Sequence, residues 1–162
     1  MRVALVAIIL IYGVTASAAA PPKLSDYRVK TIFKGKVAAP VLDTKQARMF
    51  RTELRRQAAT GPNFAAHFTL AQWGCGAGCS YVAVIDAITG QVYVPTIQFD
   101  SVLSKSGQPT CYISSKADLQ SELFIVQGQV GDEVGRPYFH WKNGQFKLVH
   151  FEPTCVDSAD EF

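Results

Sequence analysis

The spacing of apolar and polar residues divides the chain into one helix followed by a long run of strands. Tyr27 to Phe33 alternates and predicts a first strand, with Gly35 and Pro40 punctuating the segment after it. From about residue 45 the period changes to that of a helix. Ala47, Phe50, Leu54 and Ala58 form one stripe, while Lys45, Arg48, Thr52 and Arg55 lie on the other side, with Arg51 and Arg56 at the margins. Asp43 or Thr44 can cap its start, and Gly61-Pro62 stops it just past Ala59. Such a one-sided helix packs on a sheet.

Asn63 to Trp73 alternates again. Phe64, Ala66, Phe68 and Leu70 are expected on one face, and Ala65, His67, Thr69, Ala71 and Trp73 on the other. Tyr81 to Asp86 is apolar on both faces, which predicts a central strand. Thr89-Gly90 turns it into Gln91–Val94, and Pro95 is expected to end that strand. Residues 100–118 read as a loop with a short strand at Cys111–Ile113. Leu119–Val130 is a further strand, and Gly131–Gly135 an acidic loop. Asn143-Gly144 is a strong two-residue hairpin signal between Pro137–Trp141 and Gln145–Phe151. It pairs Trp141 with Phe146 and Phe139 with Leu148, placing all four in the core, and sets His140 opposite Lys147. The expected fold is α+β: an antiparallel β meander with one helix from the N-terminal third packed on the sheet, stapled by disulfides.

The first residues stand apart from this pattern. Met1-Arg2 is followed by an apolar run from Val3 to Val14 and by Ala16-Ser17-Ala18. The run is short for a membrane span, and small-x-small suits a cleavage site, so residues 1–18 read as a signal peptide. The single domain would then run from Ala19 to Phe162. Cleavage after Ala20 is disfavoured by Pro21, and a retained anchor helix is the alternative. No later apolar run approaches transmembrane length, so no membrane span is expected after cleavage. The expected location is the periplasm or the exterior, and the expected state is a monomer.

Charge narrows the partners. Without Arg2 the chain holds 15 basic and 13 acidic residues, too even a balance to argue for nucleic acid. Residues 19–60 nevertheless carry +7 and residues 61–162 carry −5. The basic part therefore either lies against the acidic remainder or presents a patch to an anionic envelope polymer.

Four cysteines, Cys75, Cys79, Cys111 and Cys155, in an exported chain read as two disulfides, with three possible connectivities. We expect Cys75–Cys79, because Gly76 and Gly78 allow a tight backbone, and Cys111–Cys155; a bridge from the first pair to Cys111 or Cys155 is the alternative. Redox chemistry at Cys-Gly-Ala-Gly-Cys is weakly supported, since the redox motif has a two-residue spacer at a helix N-terminus. A metal site with His67 would need a second ligand cluster, so no metal and no cofactor are expected.

The blocks Gly61-Pro62-Asn63-Phe64-Ala65-Ala66-His67-Phe68, Trp73-Gly74-Cys75-Gly76-Ala77-Gly78-Cys79, Val84-Ile85-Asp86-Ala87-Ile88-Thr89-Gly90 and Tyr138-Phe139-His140-Trp141…Phe146-Lys147-Leu148 together resemble an uncharacterised family of small exported bacterial proteins. The resemblance covers roughly residues 45–150 and implies export and fold type, with no activity attached. This chain has Ala66 where that family has glycine, and Phe68 and Phe139 where it has tyrosines. Cys111 and Cys155 are peculiar to this copy, which fits their pairing with each other.

No nucleophile elbow, phosphate-binding glycine pattern or His-Glu-x-x-His is present. His67, Thr69 and Trp73, on one strand face beside the cysteine corner, are the candidate binding residues, with a hydrogen-bonded structural histidine as the alternative. The expected function is a small binding or inhibitor-type module acting on an envelope protein or polymer. A hydrolase or thiol redox enzyme using His67 or Cys75 and Cys79, and a structural accessory protein, are the alternatives.

Overall fold

The computed structural model describes residues 20–107 and 109–155. The predicted signal peptide, its cleavage site and the last seven positions lie outside the described residues. The architecture is sheet-dominated. Nine strands are described: β1 Phe68–Gly76, β2 Cys79–Asp86, β3 Val92–Asp100, β4 Val102–Leu103, β5 Pro109–Cys111, β6 Ser114–Lys116, β7 Leu123–Val130, β8 Glu133–Lys142 and β9 Gln145–Glu152. All pairings are antiparallel, in the order β1-β2-β3-β7-β8-β9. β6 pairs with β7, and β4 with β5 forms a small separate ladder. The meander expected from the sequence is therefore interrupted between β3 and β7. Those two strands share a single register pair, Asp100 with Gln129.

The sheet folds over at that narrow join, so its two halves enclose one core. Leu70, Val82, Val84, Ile97 and Phe99 from β1–β3 meet Phe124, Val126, Phe139 and Trp141 from β7–β8, with Phe64 and Phe146 between them. The outer face of β1–β3 is covered by two short helices, α1 Lys45–Met49 and α2 Arg51–Ala58, rather than by one. Thr44 caps α1 through Ala47 N–H at 3.0 Å. The break falls at Phe50 (φ −98°, ψ 17°), whose ring packs 5.0 Å from Trp73 and 5.5 Å from Tyr81. Ala47, Leu54 and Ala58 then bury against Ala71, Ala83, Ile85 and Val92, the stripe that the sequence predicts.

Several expected elements are displaced. Tyr27–Phe33 does not form a strand. A 3-10 turn occupies Leu24–Tyr27, and Arg28 makes only an isolated bridge with Ser121. Beyond it the chain leaves that sheet, and Phe33 N–H bonds instead to Ala66 carbonyl at 3.1 Å. Pro95 does not end β3. Between the pairs Val82–Ile97 and Val84–Tyr93, two extra residues are accommodated on β3, and a proline is tolerated at such a bulge. Residues 100–118 contain three short strands instead of one, and the acidic loop shrinks to Gly131-Asp132 because Glu133 already pairs with Val130. Leu119–Gln120 is a turn, so β7 begins only at Leu123.

The final hairpin has the expected register, Trp141 with Phe146, His140 with Lys147 and Phe139 with Leu148. Asn143 and Gly144 both take positive φ, 53° and 75°, as a type I′ turn requires. Trp141 is buried, but Leu148 is 52% exposed. A register shift between Tyr138 and Phe139 leaves an extra residue on β9 beside Leu148, and β9 is an edge strand of the sheet.

Candidate functional site

The sequence-predicted residues do not converge on one open surface. Asn63 to His67 is a turn, not the first half of a strand. Ala65 and Ala66 take positive φ, 42° and 73°, which breaks the two-residue alternation ahead of β1. His67 therefore leaves the face expected for it. Its ring lies 4.0 Å from that of Phe68, and its Nε2 is 4.0 Å from Asp86 Oδ1. Asp86 in turn accepts from Ile88 N–H at 2.8 Å and caps the turn after β2. Thr69 is buried, with its hydroxyl donating to Gly61 carbonyl at 3.0 Å. Trp73 shares that face, under the helices, among Phe50 and Tyr81, and its Nε1 is buried without a hydrogen-bond partner.

The neighbouring motif residues are occupied in holding this corner. Asn63 pairs its side-chain amide with both backbone groups of Leu70, accepting from N–H at 2.7 Å and donating to the carbonyl at 3.2 Å. Ala66 N–H bonds to Leu119 carbonyl at 2.8 Å. At Gly90 (φ 78°) any Cβ would collide with the carbonyl oxygen of Ala39, which fixes the N-terminal segment against the same corner. Cys75 and Cys79, with Cα atoms 5.2 Å apart, close the tip of the β1–β2 hairpin. Cys111 and Cys155, 5.5 Å apart, tie the β4–β6 excursion to the end of β9. Neither Cys75 nor Cys79 starts a helix. Among the described residues no group of three or more His, Cys, Asp or Glu could hold a metal ion, and no helix is long and apolar enough to cross a membrane.

A different constellation lies on the outer face of β6–β9. Antiparallel register brings residues of four strands into two rows. Lys116, Ile125, Tyr138 and His150 form one row, and Ser114, Gln127, Arg136 and Glu152 the next. The second row is a hydrogen-bonded network. Arg136 donates to Gln127 Oε1 at 3.3 Å and lies 3.7 Å from Glu152 Oε2. Tyr138 donates its hydroxyl proton to the same Glu152 oxygen at 2.7 Å. Burial, and then the bond to Glu152, raise the Tyr138 pKa above the ordinary phenol value; Arg136 opposes the rise. Tyr138 is therefore a neutral donor toward Glu152 throughout the physiological range.

The N-terminal segment roofs part of this face. Leu24 and Tyr27 pack on Leu123, Ile125 and Tyr138. Ser121 hydroxyl holds Leu24 carbonyl at 2.8 Å, and Glu122 N–H holds Tyr27 carbonyl at 2.9 Å. Between this strap and the sheet is a cleft of about 400 Å³. Its walls are Pro21, Pro22, Leu24 and Ile125 on the apolar side, with Lys23, Lys116, Arg136 and Tyr138 supplying the polar groups. Such a combination of apolar walls and a few convergent polar groups is the usual make-up of a small-ligand site. His67, Thr69 and Trp73 do not line it. Sequence reasoning missed Lys116, Arg136 and Tyr138 because they lie far apart in the chain, on β6 and β8. Only the pairing register brings them together.

No family model, no curated protein and no solved structure matches this chain.

Proposed function

We propose that this chain is an exported binding module whose ligand site is the cleft between Pro21–Ser25 and the outer face of β6–β8. The observation that carries this reading is the convergence of Lys23, Lys116 and Arg136 on one half-roofed, partly apolar cleft. Glu152 offsets the charge of Arg136, so the excess positive charge belongs to the two lysines, and the ligand is an anion with an apolar part. The Cys111–Cys155 disulfide supports the role, because it ties the segment just ahead of β6, the strand of Lys116, to the end of β9, which lowers the ordering cost of binding. The signal-like N-terminus supports a location outside the cytoplasm, where such bridges persist. An envelope protein or polymer is the natural source of the ligand.

The test is an amide chemical-shift titration of the purified chain with benzoate and hexanoate. The expected result is a set of shifts clustered at Lys116, Ile125, Arg136 and Tyr138, weakened at least tenfold in apparent affinity by Lys116→Glu. Shifts that cluster at the His67 corner instead, or no shifts at millimolar anion, would overturn the assignment.

A further inference from the structure

We infer that the outer face of α1 and α2 docks on a bilayer surface that carries anionic headgroups, at a site separate from the cleft. Ala47, Leu54 and Ala58 turn the opposite side of both helices into the sheet. Lys45, Arg48, Arg51, Arg55 and Arg56 are left exposed on the outside. They occupy about 20 Å of helix, and screening at 0.1 M salt acts over about 10 Å, so their fields overlap. The two helices hold a single carboxylate, Glu53, and Arg56 takes it at 2.7 Å. Arg48 donates to the Leu42 and Asp43 carbonyls at 3.2 Å and 2.7 Å, and Arg51 to the Arg48 carbonyl at 3.3 Å. These bonds orient two guanidinium groups without neutralising them. Among the described residues Lys45, Arg48, Arg51 and Arg55 take part in no ion pair.

The placement of Arg51 does not serve the helix that carries it. It opens α2, at the end where the helix dipole disfavours positive charge, and it stands one turn from Arg55, a like charge. A negatively charged surface offsets both effects. Apolar groups in the same region select a bilayer over a soluble polyanion. Met49, among the cations of α1, is 62% exposed. The segment leading into α1 runs beside α2, and its residues 37–40 form with Arg55, Ala58 and Ala59 a groove of about 350 Å³. Val41, at the end of that segment, bonds through its N–H to the Gly90 carbonyl at 2.8 Å. Val41 is exposed, and so is Ile88 in the turn that Gly90 closes. A hydrophilic polymer gains nothing from these groups. At the boundary between headgroups and acyl chains, apolar side chains and arginine stems are buried while the guanidinium groups stay with the anions.

Cosedimentation of the purified chain with vesicles at about 0.1 M salt is the test. The probes are vesicles of phosphatidylcholine alone, vesicles of phosphatidylcholine with about one third phosphatidylglycerol, and dextran sulfate in solution. Partition onto the mixed vesicles is expected to be at least tenfold stronger than onto phosphatidylcholine. It should fall at least tenfold in the double variant Arg51→Glu/Arg55→Glu, in which both changes are at exposed positions. Met49→Ser should weaken partition about threefold and leave the response to dextran sulfate unchanged. Lys45→Gln combined with Met49→Ser provides the test if the double variant does not fold. Lys116→Glu, in the cleft, should leave partition unchanged, so failure of one site is distinguishable from failure of the other. Equal partition onto the two kinds of vesicle would overturn the inference, as would unchanged partition of the double variant. Capture by dextran sulfate without binding to the mixed vesicles would assign the face to a soluble polyanion and overturn it as well.

Discussion

The two disulfides close loops of very different length, and this sets up a quantitative contrast. Cys111 and Cys155 are 44 positions apart, whereas Cys75 and Cys79 are 4 apart. A cross-link removes conformations from the unfolded chain, and the chain-entropy relation makes that loss grow with the logarithm of loop length. It gives about 4 kcal/mol for the long loop and about 2 kcal/mol for the short one. Replacing Cys111 and Cys155 together by alanine should therefore cost about 2 kcal/mol more than replacing Cys75 and Cys79 together. For a domain of this size, at about 4 °C per kcal/mol, the expected drops in melting temperature are ~16 °C and ~8 °C. Urea unfolding followed by fluorescence of Trp73 and Trp141 measures both. The dependence on urea should also steepen in the Cys111/Cys155 variant, because its unfolded state exposes more surface. An equal or larger loss from the Cys75/Cys79 pair would refute the reasoning. It would show that the hairpin tip is held by native contacts at the disulfide rather than by a restricted unfolded chain.

Trp141 packs against Phe146 at 4.8 Å, Tyr93 at 5.3 Å and Phe68 at 5.5 Å with 3% of its surface exposed, so Trp141→Ala should cost roughly 3–5 kcal/mol in urea unfolding. Leu148, on the same hairpin, is exposed and its change to serine should stay within about 0.5 kcal/mol. The raised pKa of Tyr138 gives a pH dependence of definite sign. The fold favours the protonated phenol, so this contribution is present in full below the ordinary phenol pKa and is lost as pH climbs through the higher folded value. Melting temperature measured from pH 8 upward should fall more steeply in the parent chain than in Tyr138→Phe; parallel curves would contradict the assignment.

Local signals in the sequence are sufficient where a single element or a single turn determines the outcome. Asn143-Gly144 fixes the register of β8 with β9, because a two-residue loop admits only one pairing near the turn. The stripe Ala47, Phe50, Leu54 and Ala58 identifies the helical face that packs on the sheet. Pattern misleads where alternation is coincidental. Phe64, Ala66, Phe68 and Leu70 look like one strand face. Yet Phe64 bridges back to Phe68 across a turn, and two alanines in the left-handed region reverse the chain there. Alanine gives no warning of positive φ, since the conformation is imposed by bonds to Leu119 and Ser121, far away in the chain.

The same distinction explains why the corner around His67 stands out in the sequence and the cleft does not. Special residues cluster in sequence where the backbone must do something unusual locally, and Asn63, the glycines and the cysteines all serve such local ends here. A ligand site on a sheet face has the opposite distribution. Its members are separated by whole strands, each looks ordinary in its own segment, and their chemistry exists only after pairing. Lys116 ends a three-residue strand, Ile125 lies within an apolar run, and Arg136 and Tyr138 flank Pro137 in a strand whose first residues have the composition of a loop. The roof is more distant still, since Leu24 is held by Ser121 hydroxyl, 97 positions away. Density of unusual residues therefore marks the scaffold of this chain. The proposed site is marked instead by long-range register and by the polar network it creates between Gln127, Arg136, Tyr138 and Glu152. Beside that network stand two lysines with no ion-pair partner among the described residues.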